Sequence, residues 1–238
     1  PNKDEVLAKL ADFKKRFMSA ETVDEFYAVH DEYKDYDEKL GTNVRIAFIR
    51  FTQDTRNEFY ATEQDYLDEV GPEISVASAE IARCYLDTPF RKQLEQRFPR
   101  VMFTNLQMAG DANDPRIVNE KVEQNKLTTA YTKLMSSIVI DFNGEKLPLS
   151  GISKYFTHAD RSVRRAAYMK FGQAIEDNKD QLDEIYDKLA RVRTAMGRKL
   201  GYDGLSPLGY KQMQRNCYGK EDIAKFRANV LKYLVPLA

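Results

Sequence analysis

Apolar residues recur along this chain at the three-to-four spacing of helices with one buried face. Val6, Leu10, Phe13 and Phe17 predict a first helix over residues 3–18. Thr22 and Glu25 stand at the spacing of a capping box, in which a hydroxyl and a carboxylate satisfy free backbone N–H groups at a helix start. They predict a second helix that carries Phe26 and Tyr27 and turns the acidic, tyrosine-rich run Asp31 to Glu38 toward solvent. Gly41 is expected to break it. Val44, Ala47, Phe48 and Phe51 restart the periodicity, which continues weakly to Tyr66 and Leu67. Gly71-Pro72 is expected to act as a stop and restart. Ile74, Ala77, Ile81 and Tyr85 predict the next helix, and Thr88-Pro89 reads as a cap with proline at the first helical position. The stretch from Phe98 to Asn113 reads as irregular. Asp114-Pro115 then opens a helix marked by Val118, Val122, Leu127, Tyr131 and Leu134.

The period changes at Ser137. Ile138, Ile140 and Phe142 alternate with Val139 and Asp141, and Asn143-Gly144 separates them from Leu147 and Leu149. An Asn-Gly pair between short apolar runs predicts a hairpin, because both residues accept positive φ in a type I′ turn. Helical spacing then returns at Val163, Ala167, Phe171 and Ala174, and again from Leu182 through Ile185, Leu189, Val192 and Met196. Asp160 is placed to cap the first of these helices, and Gly201 to end the second in left-handed geometry. Gly204 to Gly209 reads as a helix–helix turn with Ser206 capping and Pro207 opening the next helix. Ile223, Phe226, Val230 and Leu234 stripe a last helix from Glu221, with Pro236 removing a backbone bond near its end. The expected fold is mostly α, a multi-helix array with one short β-hairpin near residues 137–149. A soft boundary at the hairpin divides it into residues 1–150 and 151–238. No repeat of fixed period appears, which argues against a solenoid.

Composition narrows the function. The 238 residues carry 37 Lys+Arg and 37 Asp+Glu, so the basic excess of a nucleic-acid or anionic-membrane binder is missing. The arginines and lysines around Arg161, Arg164, Arg165 and Lys188 to Lys199 alternate with Asp183, Glu184 and Asp187 at helical i, i+4 spacing, the pattern of salt-bridged solvent faces. No apolar run approaches the ~20 residues that span a bilayer. The opening residues hold no signal-peptide core, and the two cysteines, Cys84 and Cys217, read as reduced and mostly buried thiols. Both features point to a cytoplasmic protein.

Candidate chemistry is sparse. A catalytic zinc needs about three protein ligands, and His30 and His158 are too far apart for the HExxH motif. Each reads as structural, and no metal is expected in this segment. Gly204 to Gly209 has the glycine spacing of a phosphate loop, but Tyr210 stands where lysine belongs and Pro207 removes a donor. With two histidines and no Gly-x-Ser-x-Gly, nothing in the sequence pairs a serine or cysteine nucleophile with an oriented histidine base. Tyr210, Arg215 and Tyr218 remain. Their hydroxyls and guanidinium suit peptide carbonyls or a terminal carboxylate, and equally suit a buried network between helices.

The phrase Asp160-Arg161-x-Val163-Arg164, then Leu200-Gly201-Tyr202, Gly209-Tyr210-x-x-Met213-x-Arg215-x-x-Tyr218 and Val235-Pro236 resembles the M3 family of zinc oligoendopeptidases, its oligoendopeptidase F branch in particular. The resemblance is specific from about Leu147 to Ala238 and loose before it. It implies the N-terminal part of a two-lobed, neurolysin-like peptidase, with residues 1–150 an N-terminal helical domain and 151–238 the first helices of the catalytic domain. In the family a later HExxH helix and a glutamate hold zinc, whose polarised water attacks the peptide carbonyl. Neither ligand element occurs in these residues. The implied share of this segment is channel wall, its substrates short peptides, its zinc and its catalytic C-terminal half supplied elsewhere, and the segment alone inactive. Its final apolar stripe is then expected to be exposed and prone to self-association. The rival reading is a self-contained helical scaffold that binds a protein partner.

Overall fold

A computed structural model describes residues 2–237 and folds them into ten α-helices and one antiparallel hairpin. By backbone proximity the chain forms two compact units, each assembled from separated stretches. The first holds residues 1–40, 71–119 and 194–238, and the second holds 41–70 and 120–193.

In the first unit, α1 (Lys3–Ser19) starts where the Asn2 side chain accepts from the backbone N–H groups of Asp4 and Glu5. Its predicted stripe is the buried one: Val6, Leu10, Phe13 and Phe17 are all under 5% exposed. α2 (Val23–Gln53) begins at the capping box, with Thr22 Oγ1 accepting from Glu25 N at 3.2 Å. The return arm is shifted by one residue, since the Glu25 carboxylate accepts from Glu21 N. Phe26 and Val29 of α2, Ile81 and Tyr85 of α3 (Glu58–Asp87), Leu94 of α4 (Arg91–Arg97) and Phe103 of α5 (Arg100–Ala112) close over α1. Rings dominate this core: Phe17 lies 4.8 Å from Phe26, and Phe26 meets Tyr85 edge-on at 5.2 Å. Edge and tilted contacts of this kind add to the area that aromatic burial already removes from water. A smaller cluster joins Ala112, Ile117, Met196 and Leu208.

In the second unit, α6 (Val118–Ser137) leads into β1 (Val139–Phe142) and β2 (Glu145–Pro148). Val139 pairs with Pro148 and Phe142 with Glu145. Asn143 and Gly144 have φ of 52° and 80°, the left-handed pair that a type I′ turn requires. Ile140 and Leu147 face inward onto Ile152, Tyr155 and Ala167, the last from α7 (Arg161–Glu176). Glu145 holds the hairpin to the following turn by accepting from Lys154 Nζ and Tyr155 Oη, each at 2.6 Å. Asp160 caps α7 as expected, accepting from Ser162 N at 2.7 Å. α8 (Lys179–Lys199) follows and ends at Gly201, whose φ is +86°.

Several expectations fail for reasons visible in the packing. α2 runs unbroken through Gly41, and α3 through Gly71 and Pro72. Proline has no N–H for the carbonyl four residues back. That carbonyl, on Asp68, instead accepts from Asn125 Nδ2 at 3.2 Å. The stretch 98–113 is not irregular: Pro99 precedes α5, whose Phe103 is buried while Met102 and Leu106 pack against the same core. Of the stripe Val44, Ala47, Phe48 and Phe51 in α2, Ala47 and Phe51 are buried as expected, but Phe48 is 52% and Val44 36% exposed. Thr88 closes a turn rather than a helix, so α4 starts later, at Arg91. Gly204, in extended backbone, caps α9 (Leu205–Gln212) without a side-chain bond, leaving Ser206 and Pro207 inside its first turn. Gly197 packs so closely there that a Cβ would lie 2.1 Å from the Gly204 carbonyl oxygen. After α10 (Lys220–Asn229) the backbone widens into a π-type turn over Val230–Leu234. The predicted apolar stripe therefore spreads, leaving Leu231 and Tyr233 exposed together with Phe226 and Leu234.

Candidate functional site

Tyr210, Arg215 and Tyr218 come together in the first unit, although not on a continuous helix. α9 ends at Gln212, Gln214 takes a left-handed φ of 50°, and Arg215 N donates back to Tyr210 O at 3.0 Å. This wrap carries the Arg215 guanidinium over Tyr210, 4.7 Å from its ring centre, and within 5.5 Å of the Tyr218 ring. The two rings meet edge-on at 6.5 Å. Cation–π attraction of roughly 0.5–2 kcal/mol orients the guanidinium while leaving its N–H donors in plane and available. Arg215 and Tyr210 are half-buried, Tyr218 is 40% exposed, and among the described residues no carboxylate forms an ion pair with Arg215. Arg215 and Tyr218 both lie in the loop between α9 and the next helix.

The segment is held from α5. Lys211 Nζ donates to Asp111 Oδ2 at 2.5 Å, and Asn216 Nδ2 donates to Asn105 Oδ1 at 2.6 Å. Burial pulls the Lys211 pKa down, but hydrogen bonds to Asp111 and Tyr202 outweigh it and hold the ammonium charged. Leu208, fully buried, anchors α9 beneath. Sequence inspection missed these four polar residues because no local pattern links positions about a hundred residues apart. The one available signal was the helical spacing of Met102, Phe103 and Leu106, hidden by the proline and glycine around it.

The histidines serve local structure. His30 Nδ1 lies 2.7 Å from Tyr85 Oη inside the aromatic core, and burial there lowers its pKa. His158 Nδ1 accepts from Asp160 N at 3.1 Å. Among the described residues no group of three or more His, Cys, Asp or Glu is placed to hold a metal ion, so these residues do not fit a zinc site. Both cysteines are free. Cys84 is half-buried, and burial pushes its thiol up. Cys217 is exposed, against the expectation of burial, because it lies in the loop that follows the wrap and not at a helix end. No helix among the described residues is long and apolar enough to cross a membrane.

Residues 1–112 match the N-terminal domain of peptidase M3. That stretch lies upstream of residues 147–238, where the resemblance read from the sequence is specific. Similarity to solved structures covers the whole chain. A structure described as an oligoendopeptidase F from Bacillus anthracis str. Ames is 32% identical with a TM-score of 0.95, over 100% of this chain and 44% of that one. A PZ peptidase A with an inhibitor is 34% identical at the same TM-score, over 99% of this chain and 42% of its own. A further oligoendopeptidase F structure is 31% identical, again at 0.95 and over 42% of its length. The chain thus spans less than half the length of these solved structures. No curated protein matches it.

Proposed function

We propose that the chain is an N-terminal portion of a peptidase of the M3 family and of the oligoendopeptidase F type, and that it forms part of a zinc oligoendopeptidase acting on short peptides. The observation that carries this reading is a likeness of 32% identity and TM-score 0.95 over the entire chain to a protein more than twice as long. On this reading residues 1–150 are an N-terminal helical domain and 151–238 open the catalytic domain. The zinc ligands belong to a catalytic half beyond these residues. The work proposed for this chain is recognition and enclosure, carried out in the cytoplasm. The two free thiols support that location.

Tyr210, Arg215 and Tyr218 are proposed as substrate contacts. A half-buried guanidinium braced by two rings, with no carboxylate of its own, suits a peptide carbonyl or terminal carboxylate. The apolar face of α10 and the turn after it, with Phe226, Leu231, Tyr233 and Leu234 each 59–68% exposed, supports docking of the catalytic half, or self-association when that half is withheld.

The test is hydrolysis of a quenched-fluorescent oligopeptide by the full-length protein. Cleavage that is lost to a chelator and restored by zinc is expected, with none from the 238-residue chain alone. Arg215→Lys should raise KM and leave kcat nearly unchanged, the sign of a residue that stabilises bound substrate and transition state equally. A full-length protein that lacks HExxH and cleaves nothing would put the scaffold reading in its place.

A further inference from the structure

In the second unit, α6, α7 and α8 leave an open groove of about 670 Å³. Its floor is apolar, with Met135 from α6, Ile175 from α7, and Ile185 and Leu189 from α8, all half-buried. The predicted stripe of α8 is therefore only partly covered. Two charged residues line the groove, Asp183 and Arg193.

Asp183 is exposed and Arg193 half-buried. Glu184 pairs with Lys188 at 2.6 Å and Asp187 with Arg191 at 2.8 Å, on exposed positions where such pairs contribute little. Among the described residues neither Asp183 nor Arg193 forms an ion pair. Arg193 is half-buried, and its Nε reaches only the neutral Gln124 Oε1 at 3.4 Å. A guanidinium withdrawn from water beside apolar side chains gains most from an anion that accepts two of its N–H bonds. Asp183 offers the opposite charge about 15 Å away, the rise of ten helical residues.

We propose that this groove binds an extended oligopeptide of about four or five residues, the number whose backbone spans ~15 Å at roughly 3.3 Å each. The free amino terminus lies at Asp183, the free carboxylate at Arg193, and the apolar side chains lie on Met135, Ile175, Ile185 and Leu189. Reversing the peptide sets like charges together at both ends. Blocking the termini removes both ion pairs and leaves only apolar packing. The proposal rests on the reading of this protein as an oligopeptidase, and it adds the length, end chemistry and polarity of a bound peptide.

Calorimetric titration of the full chain with the pentapeptide AFLFA, free-ended and in N-acetylated, C-amidated form, tests it. The free-ended form is expected to bind at least about tenfold more tightly. Arg193→Gln should abolish the preference for a free carboxylate, and Asp183→Asn the preference for a free amine, each measured with singly blocked peptides. Equal binding of free and blocked forms, no binding at all, or end preferences that survive both substitutions would overturn the proposal. So would self-association abolished by Leu189→Asp, which would make a second copy of the chain the occupant. Failed hydrolysis with intact end-dependent binding would sink the peptidase reading alone. Intact hydrolysis without end-dependent binding would sink the groove alone.

Discussion

The hairpin tip at Asn143-Gly144 and the middle of α3 at Gly71-Pro72 hold residues that interrupt regular structure, under opposite constraints. At the tip both residues have positive φ, and the turn they form sets the pairing from Val139↔Pro148 to Phe142↔Glu145. In α3 the glycine has no left-handed φ, and the proline crowds the carbonyl four residues back and removes its donor. The missing donor is replaced by Asn125, whose amide reaches the Asp68 carbonyl from α6. A left-handed backbone is a demand on residue type, and no distant group can relieve it. An orphaned carbonyl is a demand for a hydrogen, and any correctly placed donor answers it. The first constraint shapes the chain locally, while the second waits on tertiary structure.

The sharpest way to break this contrast is Gly144→Val. A β-branched residue at φ of 80° is strained wherever space is available, and here nothing lies within 4 Å of the added Cβ. The cost is therefore conformational, with no clash to relieve, and is expected at about 2 kcal/mol in denaturant unfolding. Stability equal to the parent protein would mean that the tip tolerates another turn type.

A smaller effect sharpens the other side. Asn125→Ala should cost about 1 kcal/mol, because it strips the Asp68 carbonyl of its donor in a buried polar knot. Gln64 and Thr129 donate to the two carboxylate oxygens of the same residue, so its side chain stays satisfied and the loss is confined to the backbone oxygen. In a Pro72→Ala background the alanine N–H can serve that oxygen, and the cost of Asn125→Ala should shrink. A double-mutant cycle measures the difference directly. Identical costs in both backgrounds would show that Asn125 does not stand in for the proline.

The same distinction explains which parts of this fold are legible in the sequence. The hairpin, the left-handed stop at Gly201, the caps at Thr22 and Asp160 and the stripe of α1 each depend on residues within a few positions of one another. Continuity of α2 and α3, the existence of α5 and the exposure of Phe48 depend on what packs from elsewhere. The candidate site divides in the same way. Tyr210, Arg215 and Tyr218 are visible as a motif, but their geometry is not. Gln214 adopts φ of 50° with no glycine to announce it, and Asp111 and Asn105 hold the segment from about a hundred residues away.

The smallest predicted effect has the opposite sign and completes the contrast. Gly41 lies in the body of α2 without left-handed φ, and nothing lies within 4 Å of an added Cβ. Glycine at such a position only loosens the unfolded chain and weakens the helix. Gly41→Ala is therefore expected to stabilise the protein by about 0.5–1 kcal/mol in the same denaturant assay. Gly201→Ala offers the matched control, because its φ of +86° places the same added methyl in a backbone region that disfavours it. Opposite signs for these two alanines would tie the role of each glycine to its φ. A destabilised Gly41→Ala would mean that α2 needs a glycine at its centre, as the sequence pattern implies.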